Sequence, residues 1–262
     1  MFCPADRPER FEKAAAVADV VILDLEDGVA AKDREAARAA LAFTQLDPAR
    51  TVVRINPSAT PDHRRDLEAL AALSYTTVML AKAEGAEQIA ALAPLDVVVL
   101  IETPLGALRV SECAVVDNTF AVMWGAEDLF AVLGGTNNRY PDGSYREVAG
   151  HVRSQSLLAA KAYGRLALDA VFLDIKNLDG LRSEVDDAVA VGFDAKVAIH
   201  PSQIPVIRDG YAPTRQQVEW AGRVLAAARN ERGVFQFGGI MVDAPVLRRA
   251  ERIVQLSADS GG

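Results

Sequence analysis

The amino-acid sequence predicts an α/β fold, a (β/α)8 TIM barrel followed by a C-terminal extension of helices and a hairpin that forms a lid. Two observations predict this fold. Apolar runs of strand length alternate with longer segments of helical period, and strands joined by helices form parallel sheets through right-handed crossovers. Seven such runs and the opening MFC together supply the eight strands of a barrel. A doubly wound open sheet is the alternative arrangement.

The predicted strands are short apolar runs, and most of them end in polar or charged residues. Continuous Val, Leu and Ile runs are typical of strands that are buried on both faces. The strands are MFC (1–3), VVILDLED (20–27), TVVRIN (51–56), TVMLAK (77–82), DVVVLIET (96–103), FAVMWGAED (120–128), AVFLDI (170–175) and AKVAIHP (195–201).

Segments between the strands have the spacing of amphipathic helices. Residues 30–43 and 60–73 carry apolar residues three and four apart, with Thr or Asp near the start as caps. After residue 202 the pattern changes to a long helix (214–233), a hairpin (235–245) and a final helix (246–256). We therefore predict a barrel over residues 1–205, and over 206–262 a lid segment packed on the barrel or on a neighbouring subunit.

Composition restricts the function. The chain of 262 residues has 28 basic and 36 acidic side chains, a net charge of -8, which argues against nucleic acid and anionic membranes as partners. Two cysteines are too few for a disulfide framework and indicate a reducing compartment. No apolar run has the length of a membrane span, and MFCPADRPER does not fit a signal peptide. We expect a cytoplasmic protein.

Polar side chains collect at the predicted strand ends, where TIM barrels carry their active sites. A single charge there is ordinarily solvated or caps a helix, but in a closed barrel the strand ends converge on one mouth. Several carboxylates at one mouth favour a hard divalent ion such as Mg²⁺, whereas the scattered histidines do not fit zinc. The residues are Glu26, Asp27, Arg54, Asn56, Lys82, Glu102, Glu127, Asp128, Asp174 and His200.

Seven motifs occur in the order found in a known family. They are FCPADRPERFEKA, VVILDLEDGV, VVRIN, LIET, WGAEDL, AIHPSQI and MVDAP, and they extend from residue 2 to about residue 250. The chain resembles the HpcH/HpaI aldolase/citrate lyase beta subunit family, which includes malyl-CoA and citramalyl-CoA lyases. It is most similar to the free-standing citrate-lyase-beta-like proteins of bacteria.

The resemblance implies roles for residues at the strand ends. Glu102 and Asp128 match the Mg²⁺ ligands, and Glu102 also counts among the substrate contacts. Arg54 matches the arginine that binds substrate and stabilises an enolate oxygen. Glu26 and Asp27 match an acidic pair that holds the waters of the metal and Arg54.

Further positions match the coenzyme A site and a subunit boundary. Phe2, Arg7 and Lys13 match residues that hold the nucleotide end of coenzyme A, and Ile199 and His200 line the same channel. Asp243 matches an acid that comes from a neighbouring subunit, and the family suggests a homotrimer. The sequence departs from the family at Ala81, where a proline is usual before Lys82, and in a shortened first strand.

The function implied is that of a Mg²⁺-dependent carbon–carbon lyase. It would cleave a 3-hydroxy-3-carboxyacyl-CoA thioester, of the citramalyl-CoA or malyl-CoA type, to acetyl-CoA and a small 2-keto acid through an acetyl-CoA enolate. Coenzyme A is then part of the substrate. The alternatives are a citryl-carrier-protein lyase subunit, an aldolase acting on free hydroxy-keto acids, and a non-catalytic CoA-binding protein. The sequence leaves the identity of the keto acid open.

Overall fold

A computed structural model describes residues 1–43, 46–229, 231 and 233–259. The chain divides into two compact units, Met1–Ile207 and Arg208–Gly262. Within the described ranges, no helix combines the length and the apolar character needed to cross a membrane.

The first unit is built on eight parallel strands that pair in chain order. The amide of Phe2 donates to the carbonyl of Ala198 over 2.9 Å, beside the last strand. Both edge strands are short, however, and across the described residues no ladder joins the last strand to the first. The structure therefore shows the predicted parallel α/β sheet but not the ladder that closes it into a TIM barrel. The strands are β1 (Phe2–Pro4), β2 (Val21–Asp24), β3 (Thr51–Ile55), β4 (Thr77–Leu80), β5 (Asp96–Ile101), β6 (Thr119–Trp124), β7 (Leu166–Asp169) and β8 (Ala195–Lys196).

Helices connect the strands of this unit, and several have recognisable start signals. Thr60 caps α3 by accepting from the amide of His63, and Thr103 caps α5 by accepting from the amide of Gly106. Pro104 occupies the first turn of α5, which explains why β5 ends before it. The helices are α1 (Phe11–Val17), α2 (Arg34–Leu41), α3 (Pro61–Leu70), α4 (Ala86–Ala90), α5 (Pro104–Leu108), α6 (Val110–Ala114), α7 (Ala126–Leu133), α8 (Glu147–Ala162), α9 (Leu178–Val191) and α10 (Gln203–Tyr211), with short 3₁₀ turns at Pro8–Arg10, Ala31–Asp33 and Pro48–Arg50.

Side chains alternate between two faces of the sheet. One face packs against the helices and includes Leu23, Val53 and Ile101. The other face forms a separate buried cluster with contributions from along the sheet: Ile22, Val52, Met79, Val98, Leu100, Ala121, Met123 and Val197, with Phe2, Leu168 and Val171 packed against it. We call this second face the inner face. Alternation places Asp24, Arg54 and Glu102 on the inner face, two residues beyond Ile22, Val52 and Leu100.

Three predicted strands differ most from the structure in their extent. The run 195–201 is a strand only at Ala195–Lys196, which form β8. The run 170–175 is not a strand; β7 lies upstream at Leu166–Asp169. The carbonyls of Ala170 and Phe172 accept from the side chains of Lys196 and Gln203, both over 2.8 Å, instead of pairing with a neighbouring strand. The run 120–128 ends as a strand at Trp124, and helix α7 begins two residues later.

The second unit consists of a helix, a hairpin and a helix, in the predicted order. They are α11 (Arg215–Ala228), β9 (Phe235–Phe237), β10 (Ile240–Val242) and α12 (Ala244–Asp259). Thr214 and Gln217 form a reciprocal capping box at the start of α11. Ala221 and Val224 of α11, Val242 of β10 and Ala250 of α12 form its buried core. Residues 230 and 232 of the predicted helix 214–233 lie outside the described residues.

Candidate active site

Arg54 and Asp24 form a buried ion pair at the carboxyl edge of the sheet. The two residues are direct partners in the parallel register of β2 and β3. Arg54 donates from Nε to Asp24 Oδ1 over 2.7 Å and from Nη2 to Oδ2 over 2.6 Å. The same carboxylate accepts from the amides of Glu26 and Gly28, each over 2.9 Å. Four donors therefore fix the Asp24 carboxylate, and it in turn fixes the plane of the guanidinium.

The environment of Arg54 keeps it charged. Burial would lower the pKa of the guanidinium, but the hydrogen bonds and charge of Asp24 outweigh it, so the pKa lies above its usual value. Arg54 Nη1 lies 3.3 Å from Glu26 Oε2, and its Cζ lies 4.7 Å from the centre of the Phe2 ring. Arg54 is thus a permanently positive group whose orientation is set from several sides.

Glu102 follows β5 and is buried on the inner face. Its Oε1 accepts from the backbone amide of Lys82 over 3.0 Å. A Cβ on Gly125 would lie only 3.0 Å from Glu102 Oε2, so a glycine at this position leaves room for the carboxylate. Burial, and next the charge of Asp128, raise the pKa of Glu102 to about 8, against the lowering effects of Lys82 and Arg54. At this carboxylate, the positive charges of Lys82 and Arg54 therefore do not fully offset the effects of burial and of the charge on Asp128.

The ammonium of Lys82 lies among four carboxylates. Its Nζ is 2.5 Å from Glu26 Oε1, 3.0 Å from Asp27 Oδ2, 3.2 Å from Asp128 Oδ1 and 4.0 Å from Glu102 Oε1. Burial would lower the pKa of Lys82, but Glu26, Glu102 and Asp27 raise it above its usual value. Together with Asp24 and Arg54, these residues form the carboxylate cluster of the candidate site.

Asp128 reaches the cluster from the first turn of α7, not from a strand end as its sequence position suggested. Its side chain is 32% exposed, whereas that of Glu102 is 4% exposed. Glu127 beside it points elsewhere, and its Oε1 accepts from Asn138 Nδ2 over 2.6 Å. Of this acidic dipeptide, only Asp128 contacts Lys82 in the described structure.

The donor chemistry of the cluster suits Mg²⁺. Five carboxylates surround two cations, and Glu102 and Asp128 both approach the same ammonium group. Hard carboxylate oxygens are the protein ligands that Mg²⁺ prefers, and it usually takes one or two of them and fills its other positions with water and substrate oxygens. In the described ranges, no three His, Cys, Asp or Glu side chains are grouped to hold a metal by themselves. The residues therefore fit a two-carboxylate magnesium site and not an all-protein cage.

The residues predicted to bind coenzyme A lie around β1 and the end of β8. Arg7 precedes the turn Pro8–Arg10, with Nε 3.7 Å from Asp6 Oδ1, and Lys13 is exposed on α1. Ile199 donates its amide to Gln203 Oε1 over 2.9 Å, and His200 Nδ1 lies 2.8 Å from Ser202 Oγ. Only Phe2 of this set contacts the cluster through a described interaction, its ring lying against Arg54.

Asp243 belongs to the second unit. Its backbone carbonyl accepts from Leu247 N over 3.0 Å and its Oδ1 from Val246 N over 3.4 Å, so it caps α12. Its catalytic role stays a prediction.

A second buried ionic network lies on the helix side of the sheet. The carboxylate of Asp169, the last residue of β7, accepts from Trp124 Nε1 at 2.8 Å, from Arg153 at 3.0 and 3.3 Å, and from Lys196 Nζ at 3.0 Å. Lys196 also contacts Glu184 over 3.0 Å. By alternation from Leu168, Asp169 faces away from the inner face. Asp174, predicted at the rim, is an exposed residue of the following segment.

Asp24 was missed in the sequence analysis, which assigned no role to Lys82. The signal for Asp24 was present in LDLED, because Asp24 and Glu26 are two residues apart and therefore share a face of an extended segment. Selecting Glu26 and Asp27 as a pair ignored this alternation. The structure brings together Glu26, Asp27, Arg54, Glu102 and Asp128 and adds Asp24 and Lys82 to them.

The chain belongs to the HpcH/HpaI aldolase/citrate lyase family, whose sequence pattern matches residues 1–201. This confirms the resemblance read from the motifs. The chain is 61% identical over 260 residues to the "Citrate lyase subunit beta-like protein" of Mycobacterium tuberculosis (strain ATCC 25618 / H37Rv), covering 99% of this chain and 95% of that protein. It is 30% identical over 293 residues to the mitochondrial citramalyl-CoA lyase of Rattus norvegicus, covering 98% of this chain and 85% of that protein.

A solved structure is similar over nearly the whole chain. The crystal structure of protein CitE from Mycobacterium tuberculosis in complex with magnesium, acetoacetate and coenzyme A has a TM-score of 0.95 and 62% sequence identity to this chain. The match covers 98% of this chain and 96% of that one.

Proposed function

We propose that this protein is a Mg²⁺-dependent carbon–carbon lyase. It cleaves a thioester of the 3-hydroxy-3-carboxyacyl-CoA class, such as citramalyl-CoA or malyl-CoA, to acetyl-CoA and a 2-keto acid. Membership of a lyase family supports the reaction class, and the CitE complex with magnesium, acetoacetate and coenzyme A supports the ligands.

The observation that carries this proposal is the placement of Arg54. Cleavage of the bond between the α and β carbons leaves negative charge on the thioester oxygen of acetyl-CoA. Arg54 is 9% exposed, is held in a fixed plane by Asp24, and lies close enough to Glu102, one of the proposed metal ligands, for their charges to interact. A preoriented cation at a developing oxyanion is worth about 3–4 kcal/mol of transition-state stabilisation. We assign this role to Arg54.

Glu102 and Asp128 are the proposed protein ligands of the metal. Bound there, Mg²⁺ supplies Lewis acidity towards the hydroxyl and carboxylate oxygens of the substrate. Glu26 and Asp27 hold Lys82 within the cluster, and Glu26 also contacts Arg54. These two acids therefore position the cations of the site.

The second unit supplies the remaining acid in this proposal. Asp243 of a neighbouring subunit protonates the enolate carbon, which requires a homo-oligomer, a trimer by family resemblance. Residues 206–262 then serve as the lid of a neighbouring site.

The coenzyme A site completes the proposal. Arg7 and Lys13 provide cations for the nucleotide phosphates, with Phe2, Ile199 and His200 beside them. Closure of the sheet into a TIM barrel would bring these segments to one mouth. The hydrogen bond between Phe2 and Ala198 and the inner cluster shared by the strands support closure.

A panel of hydroxyacyl-CoA thioesters tests the function. Purified protein is incubated with citramalyl-CoA, malyl-CoA and citryl-CoA, with Mg²⁺ or with EDTA, and acetyl-CoA and keto acid are quantified. We expect equimolar release of both products from one thioester, lost in EDTA and restored by excess Mg²⁺. Release of free coenzyme A without keto acid would instead indicate thioester hydrolysis. Binding of coenzyme A without any turnover would contradict the lyase proposal.

A further inference from the structure

The backbone of Lys82 departs from the pattern of its strand. In β4, Met79 belongs to the inner cluster and Leu80 to the helix side, so alternation would turn residue 82 towards the helices. Lys82 instead has a φ of 52°, the one positive φ of a non-glycine residue among the described residues. Such a conformation costs about 1–2 kcal/mol for a residue with a side chain. The folded chain keeps this strained conformation, which brings the Lys82 ammonium to the inner face of the sheet.

In this conformation the ammonium of Lys82 lies beside both proposed metal ligands, Glu102 and Asp128. Its Nζ lies 3.2 Å from Asp128 Oδ1 and 4.0 Å from Glu102 Oε1, and its own amide donates to Glu102 Oε1. Glu26 and Asp27 also hold the ammonium, at 2.5 and 3.0 Å. A divalent ion bound by Glu102 and Asp128 would lie within contact distance of this ammonium. Two cations so close repel each other strongly at a partly buried position.

We propose that Lys82 is a tethered cation that holds the carboxylate cluster together before the divalent ion enters, and that the ion displaces it. This inference rests on the proposed function, because it takes Glu102 and Asp128 as the metal ligands. Lys82 is then a positioning residue that sets the affinity for the metal. Because the ammonium must leave before the ion binds, the apparent affinity equals the intrinsic affinity multiplied by the fraction of molecules in which the ammonium has left the cluster.

Isothermal titration of Mg²⁺ into chelator-treated protein measures this competition directly. Lys82→Met keeps much of the length of the side chain and removes its charge. If the ammonium occupies the cluster in nine molecules of ten, the variant binds Mg²⁺ about tenfold more tightly than the natural protein. Lys161→Met is the matched control, since Lys161 pairs with Asp194 outside the cluster, and its Mg²⁺ affinity stays unchanged.

Thermal unfolding separates displacement from simple repulsion. A displaced lysine stabilises only the metal-free protein, so Lys82→Met lowers Tm in EDTA and leaves Tm in saturating Mg²⁺ equal to that of the natural protein. A lysine that stays beside the bound ion and repels it would make the variant more stable than the natural protein in Mg²⁺, which contradicts displacement. A variant that unfolds in EDTA and refolds in Mg²⁺ supports the proposal, and one unfolded in both overturns it.

The outcomes also separate this inference from the proposed function. If the natural protein binds Mg²⁺ and Lys82→Met binds it no more tightly, the displacement is wrong and the metal site stands. If the natural protein binds no Mg²⁺, both proposals fail.

Discussion

Replacing Asp24 by Asn tests whether the orientation of Arg54 matters for turnover. Each oxygen of the Asp24 carboxylate accepts two hydrogen bonds, one from Arg54 and one from a backbone amide. Asparagine has a single acceptor oxygen, so its NH₂ group must face two of these donors. Leaving a buried donor unsatisfied costs about 1–3 kcal/mol, and removing one partner of a buried ion pair costs about 3–5 kcal/mol. We expect a loss of unfolding free energy in this second range.

We expect the Asp24→Asn variant to lose more of its kcat than the fraction of unfolded protein would explain. Once released from Asp24, the guanidinium retains only the contact of Nη1 with Glu26 and the ring of Phe2. A misplaced oxyanion donor costs about 100-fold to 1,000-fold in kcat. Steady-state kinetics with the thioester that the natural protein cleaves, together with urea unfolding, give both quantities.

Asp169→Asn is a closely matched control. The Asp169 carboxylate is 1% exposed, against 3% for Asp24, and it also accepts four hydrogen bonds from charged or polar donors. It lies on the opposite face of the sheet. We expect a similar loss of stability with kcat close to that of the natural protein. If both variants lose kcat to the same degree, or if Asp24→Asn keeps it, the positioning role of Asp24 is refuted.

Three further predictions concern the metal, the enolate and the subunit boundary. Glu102→Gln or Asp128→Asn should abolish Mg²⁺ binding in titration calorimetry while circular dichroism stays unchanged; retained binding would remove that residue from the metal site. Arg54→Lys should lower kcat by at least about 100-fold, because a point charge does not reproduce the planar fork, whereas an effect on KM alone would indicate uniform substrate binding. Arg54→Ala and Asp243→Ala chains should each be inactive and should regain part of the activity when unfolded and reassembled together. Mixed oligomers without recovery would contradict a site shared between subunits.

Much of the fold follows from local patterns in the sequence. Apolar runs of strand length and segments of helical period depend on nearest neighbours in the chain, so they predict the strand order and the helix–hairpin–helix of the second unit. The prediction of a strand at 170–175 was wrong because it too depended only on neighbouring residues in the chain. Its apolar residues look like a strand, but their carbonyls are taken by Lys196 and Gln203, which lie more than twenty residues later.

The sequence by itself determined that charges collect where the strands end, because Glu26, Arg54 and Glu102 directly follow or close apolar runs of strand length. Only the tertiary structure decided which charges pair. The register of β2 and β3 puts Asp24 opposite Arg54, and the positive φ of Lys82 turns its ammonium onto four carboxylates from three separate segments. Register and backbone strain depend on how the whole sheet packs. The pairing of these charges could therefore not be predicted from the residues alone.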